Sequence, residues 1–250
     1  MLRRAFGITR SLLMYHAIPG RRRRMVAFYS QFLGPGDLAF DVGAHVGSRV
    51  RAWRKLGARV VAIEPQPDLV RILRLFFGRD DGVVLVTDAL GARPGRARLG
   101  VSTTTPTVSS MSPEWMQTVS TDRRFARVRW DRSVEVTVTT LDALIADYGE
   151  PAFCKIDVEG FEAEVLAGLS RPLRALSFEY LSMAHEQALD VLATVEALGG
   201  GRYRYNYSPV ETLRWVSDRW LDAAELTALL DRVRPEGRSG DVYARLDPAG

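Results

Sequence analysis

Apolar runs of strand length alternate with segments of helical spacing along most of the chain. After a glycine-proline break at residues 34–36, "DLAFDVG" predicts a buried strand, and "SRVRAWRKLG" behind it has the apolar spacing of a helix. The pair recurs as "ARVVAIEP" and "DLVRILRLFFGR", where Asp68 is available as the N-cap of the second helix. A third strand, "GVVLVTDAL", follows. The first part of the chain therefore predicts parallel strands connected by helices.

This alternation lapses in the middle of the chain. Glycines and a proline in "GARPGRARLG" predict a hairpin or an irregular excursion. Residues 101–124 are rich in Ser and Thr and have no clear period, which predicts a long loop, either a lid over a site or a disordered tip. "RSVEVTVTTL" alternates at period two and predicts a strand. We therefore expect an insertion at about residues 91–133.

Strands and helices alternate again after the insertion. The strands "AFCKIDVEG", "ALSFEYL", "YRYNYS" and "DVYARL" are separated by three segments with helical spacing. This order predicts a single α/β domain over residues 37–250, with a doubly wound, mostly parallel sheet that has helices on both faces. Residues 1–36 are predicted to form an N-terminal helical segment packed on that core. Ligands of such a sheet bind at the carboxyl ends of its strands.

Composition and charge exclude several classes of protein. With 250 residues, of which 46% are hydrophobic and 26% charged, the chain has the composition of an ordinary globular protein. The single Cys154 allows no internal disulfide, so a cytoplasmic location is expected. A net charge of +4 is too small an excess to favour nucleic acid as a partner. The N-terminal residues 1–18 are too polar for a signal peptide or a transmembrane segment, although weak contact with a membrane surface stays open. The sequence does not indicate an oligomeric state.

The turn "DVGAHVG" after the first strand holds a candidate ligand site. It keeps Gly43 and Gly47, but His45 stands where the dinucleotide fingerprint has the glycine that lets the backbone approach a pyrophosphate. Asp41 would repel a phosphate and suits the cationic end of an amino acid. Glu64 ends the second strand, where a carboxylate can accept hydrogen bonds from both hydroxyls of a ribose. A nucleoside that carries an amino acid fits this set, and S-adenosylmethionine is the common cofactor of that description.

Longer motifs strengthen this interpretation. The segments "DVGAHVG", "VVAIEPQP", "VTDALGARPGRARL", "TTLDALI" and "KIDVEGFEAEVLAGL" resemble the FkbM-type family of S-adenosylmethionine-dependent methyltransferases over about residues 37–182. The resemblance implies a Rossmann-like class I methyltransferase fold, with a seven-stranded sheet whose last strand is antiparallel. It also implies O-methylation of a hydroxyl on a sugar, glycan or polyketide-like product.

The resemblance also implies positions for the cofactor. The methionine part would lie at the turn after the first strand, the ribose at Glu64 and the adenine at the end of the third strand. The expected cofactor-binding residues are Asp41, Gly43, Ala44, His45, Gly47, Glu64, Pro65, Asp88, Ala89 and Asp157.

Carboxylates near the end of "AFCKIDVEG" are the candidate catalytic groups. An alkyl hydroxyl ionises too weakly near neutral pH, so methyl transfer to it needs a base or a metal ion. We expect Asp157 to act as base or metal ligand, supported by Glu159 and by Glu179 from the next strand, with His185 as a second base. This oxygen-only set would suit Mg²⁺ if a metal is used, although the sequence does not establish one.

Three other functions stay open. A nicotinamide-dependent oxidoreductase (NAD as cofactor) fits the fold class and Glu64 but not the missing middle glycine. A methyltransferase-like protein without catalysis would bind its ligand only. A nucleic-acid methyltransferase is disfavoured because "DVEG" stands where a target-base motif of two prolines and an aromatic residue would be expected.

Overall fold

A seven-stranded sheet runs through the computed structural model, which describes residues 20–122, 125, 128–210 and 212–247. Part of the N-terminal segment predicted over residues 1–36, namely residues 1–19, lies outside the described residues. The strands of the described chain, numbered in chain order, are β1 (Leu38–Val42), β2 (Arg59–Ile63), β3 (Val83–Val86), β4 (Ala89–Leu90), β5 (Gly95–Val101), β6 (Arg132–Thr139), β7 (Phe153–Ile156), β8 (Ala175–Tyr180), β9 (Tyr203–Pro209) and β10 (Gly240–Leu246).

The strand order of the large sheet is β3-β2-β1-β7-β8-β10-β9. The first five of these strands are parallel, and β10 pairs antiparallel with both β8 and β9. The predicted doubly wound sheet with its antiparallel last strand is confirmed. In register, Val42 of β1 lies beside Ile63 on one side and Ile156 on the other. The loops that follow β1, β2 and β7 therefore start side by side at one edge of the sheet.

Helices cover both faces of the sheet. They are α1 (Arg21–Tyr29), α2 (Ser48–Lys55), α3 (Pro67–Phe77), α4 (Pro113–Ser120), α5 (Leu141–Tyr148), α6 (Glu162–Leu166), α7 (His185–Gly199) and α8 (Ala223–Val233). Alternate residues of each strand point to opposite faces, so Phe40 packs with α5 to α8 on one side while Ala39 packs with α1 to α3 on the other. None of the helices in the described chain is both long and apolar enough to cross a bilayer.

The start of α3 differs from the prediction. Gln66, not Asp68, is the N-cap residue, because Pro67 takes the first helical position, where its missing N–H costs no hydrogen bond. Asp68 lies in the first turn, where its charge is favourable to the helix dipole, and it pairs with Arg71 and Arg132.

The insertion forms a second sheet of three strands in the order β4-β6-β5. β5 and β6 are antiparallel, so the strand predicted near residue 132 is present but lies outside the large sheet. The prediction of a long loop over residues 101–124 is wrong in part, because the segment contains a short 3-10 turn, Pro106–Val108, and helix α4. Only two buried apolar residues, Trp115 and Val119, mark that helix, which is too few to reveal a period.

Helix α1 is held on the domain by a group of buried aromatic rings. Phe28, Tyr29 and Phe32 contact Phe153 of β7 and Tyr243 of β10, and the Phe32 and Tyr243 rings are stacked with centroids 5.8 Å apart. Large buried rings dominate packing energy because each removes a large apolar area from water. The segment that precedes β1 is therefore part of the core.

We expect Tyr29→Ala to lower the free energy of unfolding by about 3–5 kcal/mol, because Tyr29 is fully buried and its loss leaves a cavity. Chemical denaturation measures the change. The control is Leu75→Ala, since Leu75 is 80% exposed and its truncation should change stability by no more than about 0.5 kcal/mol. Equal effects of the two substitutions would contradict the packing described for α1.

Candidate active site

An open cleft lies at the carboxyl ends of β1, β2, β7 and β8, the edge at which ligands of doubly wound sheets bind. Its floor comes from the loops after these strands. The insertion adds a side wall with Leu99, Thr107, Ser109 and Met111, and Val210 after β9 lies at the other side. The insertion thus contributes directly to the cleft.

The turn after β1 is shaped by two glycines in left-handed conformations. Gly43 has a φ of 82° and Gly47 a φ of 74°. A Cβ atom at Gly43 would lie 1.9 Å from the carbonyl oxygen of Asp157, and one at Gly47 would lie 2.3 Å from the Phe77 ring. The backbone N–H groups of Gly43 and Ala44 both donate to the carbonyl of Ile63. Glycine is therefore required at both positions by backbone conformation and by packing.

Glu64 ties this turn to the end of β2. Its two carboxylate oxygens accept hydrogen bonds from the backbone N–H groups of His45 and Gln66, each at 2.9 Å. Burial raises the pKa of Glu64 to about 7, although these two hydrogen bonds act in the opposite direction. Each oxygen keeps a further lone pair, so the carboxylate can still accept from a diol.

A buried lysine supports the floor of the cleft. The Nζ atom of Lys155, which has no solvent exposure, lies 3.0 Å from Asp157 Oδ2 and 2.8 Å from Asp241 Oδ1. Burial and Arg49 by themselves would lower the pKa of Lys155, but the two carboxylates raise it above its ordinary value. Burial likewise favours a neutral Asp157, yet Lys155 and Arg49 hold the pKa of Asp157 below its usual range. Both partners of this pair are therefore ionised.

Three carboxyl groups meet beside the lysine. Single oxygens of Asp157, Glu159 and Glu179 all lie within 4.8 Å of one another. Burial is the largest cause that raises the pKa of Glu159 well above its ordinary value, and the nearby Glu179 and Asp157 carboxyl groups raise it further. Burial, Asp157 and Glu162 raise that of Glu179 in the same way. The cluster thus contains one ionised acid and two that hold their protons more tightly.

The backbone of Glu159 is held in an unusual conformation by the insertion. Its φ is 55°, which is rare for a residue with a side chain, and Ser110 Oγ donates a 2.6 Å hydrogen bond to its carbonyl oxygen. The next residue, Gly160, lies so close to Trp115 of α4 that a Cβ atom there would approach the indole ring to 2.1 Å. The insertion therefore fixes the loop that carries Glu159.

Most of the predicted site residues lie together at the cleft. Those that line it are Gly43, Ala44, His45, Glu64, Pro65, Ala89, Asp157, Glu159 and Glu179. Three predicted cofactor residues do not line it. Asp41 is buried in β1 beside Arg49 and Lys155, Gly47 packs under the turn, and Asp88 is half-buried just before the lining residue Ala89.

His185 lies away from the cleft. It is 2% exposed at the start of α7, with Nδ1 3.1 Å from the Tyr180 hydroxyl and Nε2 3.0 Å from Asp231 Oδ1. The 3-10 turn Ser182–Ala184 carries the chain away from the end of β8 before this residue is reached. The geometry gives the predicted second base no route to a substrate in the cleft.

The sequence predictions missed several residues of the site. Arg49 is the one arginine or lysine among the described residues that line the cleft, and Asp241 comes from the distant β10. Lys155 stands two residues before Asp157, so the period of a strand places both on one face; that spacing was the available signal. No local pattern indicated Asp241, because its contact with Lys155 depends on the antiparallel pairing of β10 with β8.

Fold and site together define a class of protein. A doubly wound sheet with an antiparallel last strand, a glycine turn after β1 and an acid after β2 are the arrangement of a Rossmann-like methyltransferase fold. The family model described as "Methyltransferase FkbM domain" matches residues 41–207, which is more than half of the chain. The chain belongs to this family. Membership and fold support S-adenosylmethionine-dependent methyl transfer.

Solved structures with a similar fold include other methyltransferases. A precorrin-6y C5,15-methyltransferase from Geobacter metallireducens is 12% identical, with a TM-score of 0.49 over 90% of this chain and 87% of that one. A SAM-dependent O-methyltransferase from Thermotoga maritima is 11% identical, with a TM-score of 0.45 over 96% and 71%. An rRNA methylase from Streptococcus thermophilus is 11% identical, with a TM-score of 0.43 over 89% and 93%. A search of curated proteins found no match.

The acids Asp157, Glu159 and Glu179 form the oxygen-only set that would suit Mg²⁺ if a metal were used. Apart from the clustering of their carboxyl groups, no feature of the described residues indicates a metal ion. The similarity to known proteins gives magnesium no support either.

We expect Gly43→Ala to weaken binding of S-adenosylhomocysteine, the product form of the cofactor, by at least about tenfold, because the new methyl group meets the Asp157 carbonyl. Isothermal titration calorimetry measures the affinity. Gly36→Ala is the matched control, since Gly36 also has a positive φ of 84° but a Cβ atom there would meet no other atom within 4 Å. If both variants bind as the wild type does, the close approach at Gly43 does not matter for the ligand.

We also expect the affinity for S-adenosylhomocysteine to fall as pH decreases. The raised pKa of Glu64, about 7, means that this acid is ionised above and protonated below that pH. If only the carboxylate binds the ribose, the dissociation constant should rise about tenfold from pH 8 to pH 6. The variant Glu64→Gln should bind more weakly and lose this dependence. If Glu64→Gln keeps the full pH dependence of the dissociation constant, a group other than Glu64 causes it.

Proposed function

We propose that the protein is an O-methyltransferase that transfers a methyl group from S-adenosylmethionine to a hydroxyl of a sugar, glycan or polyketide-like natural product. The observation that carries the proposal is that the glycine turn, Glu64 and the carboxyl cluster of Asp157, Glu159 and Glu179 line one cleft. The first two suit a nucleoside with an amino acid. The third suits an acceptor that must give up a proton.

The donor groups of the cleft fit the cofactor. Glu64 can accept from the ribose hydroxyls, and the turn at Gly43 lines the cleft beside Asp157, where the methionine part would lie. Apolar contacts from Ala89 and Leu99 are available to the adenine ring. Arg49, 17% exposed in its side chain, can pair with the carboxylate of the amino acid. The bound cofactor would supply an electrophilic methyl group on sulfur.

A base must accept the proton of the acceptor hydroxyl, and the three carboxyl groups of the cleft differ in basicity. Asp157 is paired with Lys155 and has a lowered pKa, which makes it a weak base. Glu159 and Glu179 have raised pKa values, and a base works best when its pKa is near the working pH. We therefore assign proton acceptance to Glu159 and Glu179, while Asp157 orients the ligands of the cleft.

The proposed reaction proceeds by in-line displacement. As the acceptor oxygen forms its bond to the methyl carbon, the carbon–sulfur bond breaks and its electron pair stays on sulfur. The hydroxyl proton passes to a carboxylate of Glu159 or Glu179. Alignment of the three atoms contributes most of the acceleration, and the protein provides it through the loop that Ser110 and Trp115 hold in place.

The chemistry of the cleft also favours a class of acceptor. Several carboxylates can accept hydrogen bonds from neighbouring hydroxyl groups, as in a sugar, while they would repel phosphates. This disfavours a nucleic-acid acceptor. Val210 and Met111 offer apolar surface to the carbon skeleton of the acceptor at the mouth of the cleft.

The first experiment compares cofactors. Calorimetric titration with S-adenosylhomocysteine and with NAD should give micromolar binding of the former and none of the latter, and Glu64→Ala should weaken the binding. Binding of NAD alone would overturn the proposal in favour of an oxidoreductase. A protein that binds the nucleoside but transfers no labelled methyl to any hydroxylated glycan or natural product would instead support a binding protein without catalysis.

Once an acceptor is found, we expect at least one of Glu159→Gln and Glu179→Gln to lower kcat by about 100-fold or more, because each removes a candidate base without changing side-chain size. Transfer of a labelled methyl group measures the rate. Glu164→Gln on α6 is the control, since Glu164 is exposed outside the cleft. Full activity in both cleft variants would contradict the assignment of the base.

A further inference from the structure

The cleft has more acidic than basic side chains. Glu64, Asp157, Glu159, Glu179 and Asp241 line it, whereas one arginine, Arg49, is the only arginine or lysine among the described lining residues. Lys155 beneath the floor pairs with Asp157 and Asp241. Among the described residues no ion pair forms with Glu159 or Glu179, and Lys155 attracts them only from beyond contact distance.

These two acids lie where the reacting centre of the ligand would be. Their oxygens lie within 4.8 Å of one another and of an Asp157 oxygen, and Asp157 contacts the turn that would hold the methionine part. Two carboxyl groups that close together are stabilised when a cation lies between them and solvent. A ligand with a positive charge at this point satisfies them, whereas a neutral one does not.

S-adenosylmethionine and its product differ in this charge. The substrate form carries a positive sulfonium, and the product form carries a neutral thioether; apart from this charge the two molecules differ only in the methyl group that is transferred. We infer that Glu159 and Glu179 make the cleft select the positively charged form of the cofactor over its neutral product. The inference rests on the proposed function, since it assumes that this cleft holds the nucleoside.

This selection would limit inhibition by the product. A cofactor that reacts loses its positive charge, and the attraction of the acids ends with the reaction. If substrate and product bound with equal affinity, the product would instead compete with the substrate on equal terms. Glu159 and Glu179 are thus specificity-determining residues in addition to their assignment as proton acceptors.

The test uses sinefungin, a stable nucleoside that has a protonated amine where the cofactor has its sulfonium. We expect sinefungin to bind the wild type at least about tenfold more tightly than S-adenosylhomocysteine in calorimetric titrations at pH 8 with EDTA. In Glu159→Gln, Glu179→Gln and the double variant the ratio of the two affinities should fall, to about threefold or less in the double variant. Binding of S-adenosylhomocysteine itself reports whether each variant keeps a folded cleft.

The control is again Glu164→Gln, which should keep the wild-type ratio because Glu164 does not line the cleft. Equal affinity of the wild type for both nucleosides would overturn the inference and leave the proposed function intact. A ratio unchanged in the double variant would also overturn it, since another group would then select the charge. Failure of both nucleosides to bind the wild type would overturn the proposed function and this inference with it.

Discussion

The buried ammonium of Lys155 is the constraint on which the candidate site depends. It lies in the middle of the sheet with no solvent exposure, and a charge at such a position is tolerated only when it is paired. Its two partners come from different directions, Asp157 from the loop after β7 and Asp241 from β10. Removing the lysine would leave two partly buried acids with Arg49 as the only nearby cation among the described residues, and breaking a charge pair in this way destabilises the fold. The pairing therefore links the antiparallel strand, far along the chain, to the loop that carries the chemistry.

The same network reaches the segment that precedes the sheet. Arg49 in the first turn of α2 lies 3.9 Å from Asp241 and donates a hydrogen bond to the hydroxyl of Tyr29 in α1. Tyr29 in turn shares a hydrogen bond with Tyr243 of β10. The hydroxyl of Tyr29 thus connects the aromatic rings that hold α1 to the charged groups beneath the cleft. This explains why a helix outside the doubly wound core is part of the structure that orients the site.

The parts of the fold that were predictable from the sequence are those with local causes. Strands such as β1 and β2 are mostly apolar runs, and Gly43 and Glu64 follow them directly, so their meeting at one edge follows from parallel pairing alone. Helix α4 was missed because its support is tertiary: Trp115 packs on Gly160, 45 positions further along the chain. Asp241 and Arg49 were missed for the same reason, since Lys155 and Asp157 stand two positions apart in the sequence whereas Asp241 reaches the lysine only through the pairing of β10. His185 was misplaced because one short turn, Ser182–Ala184, redirects the chain after β8.

Burying carboxyl groups in and around the cleft lowers the stability of the folded protein near neutral pH, and a cationic ligand can offset part of this loss. Burial raises the pKa values of Asp41, Glu64 and Glu162 to about 7, so the folded protein holds protons that the unfolded chain releases at lower pH. The contribution of these groups to stability is therefore greatest below their ordinary pKa values and falls as pH rises towards 7. A cationic ligand beside the acids reverses part of that loss. In the proposed reaction the acceptor's proton reaches a carboxylate as the sulfur becomes neutral, so one negative and one positive charge disappear together. The carboxylate that attracted the positive sulfonium of the cofactor is also the group that takes the proton. No unpaired carboxylate is therefore left in the cleft when the sulfur becomes neutral.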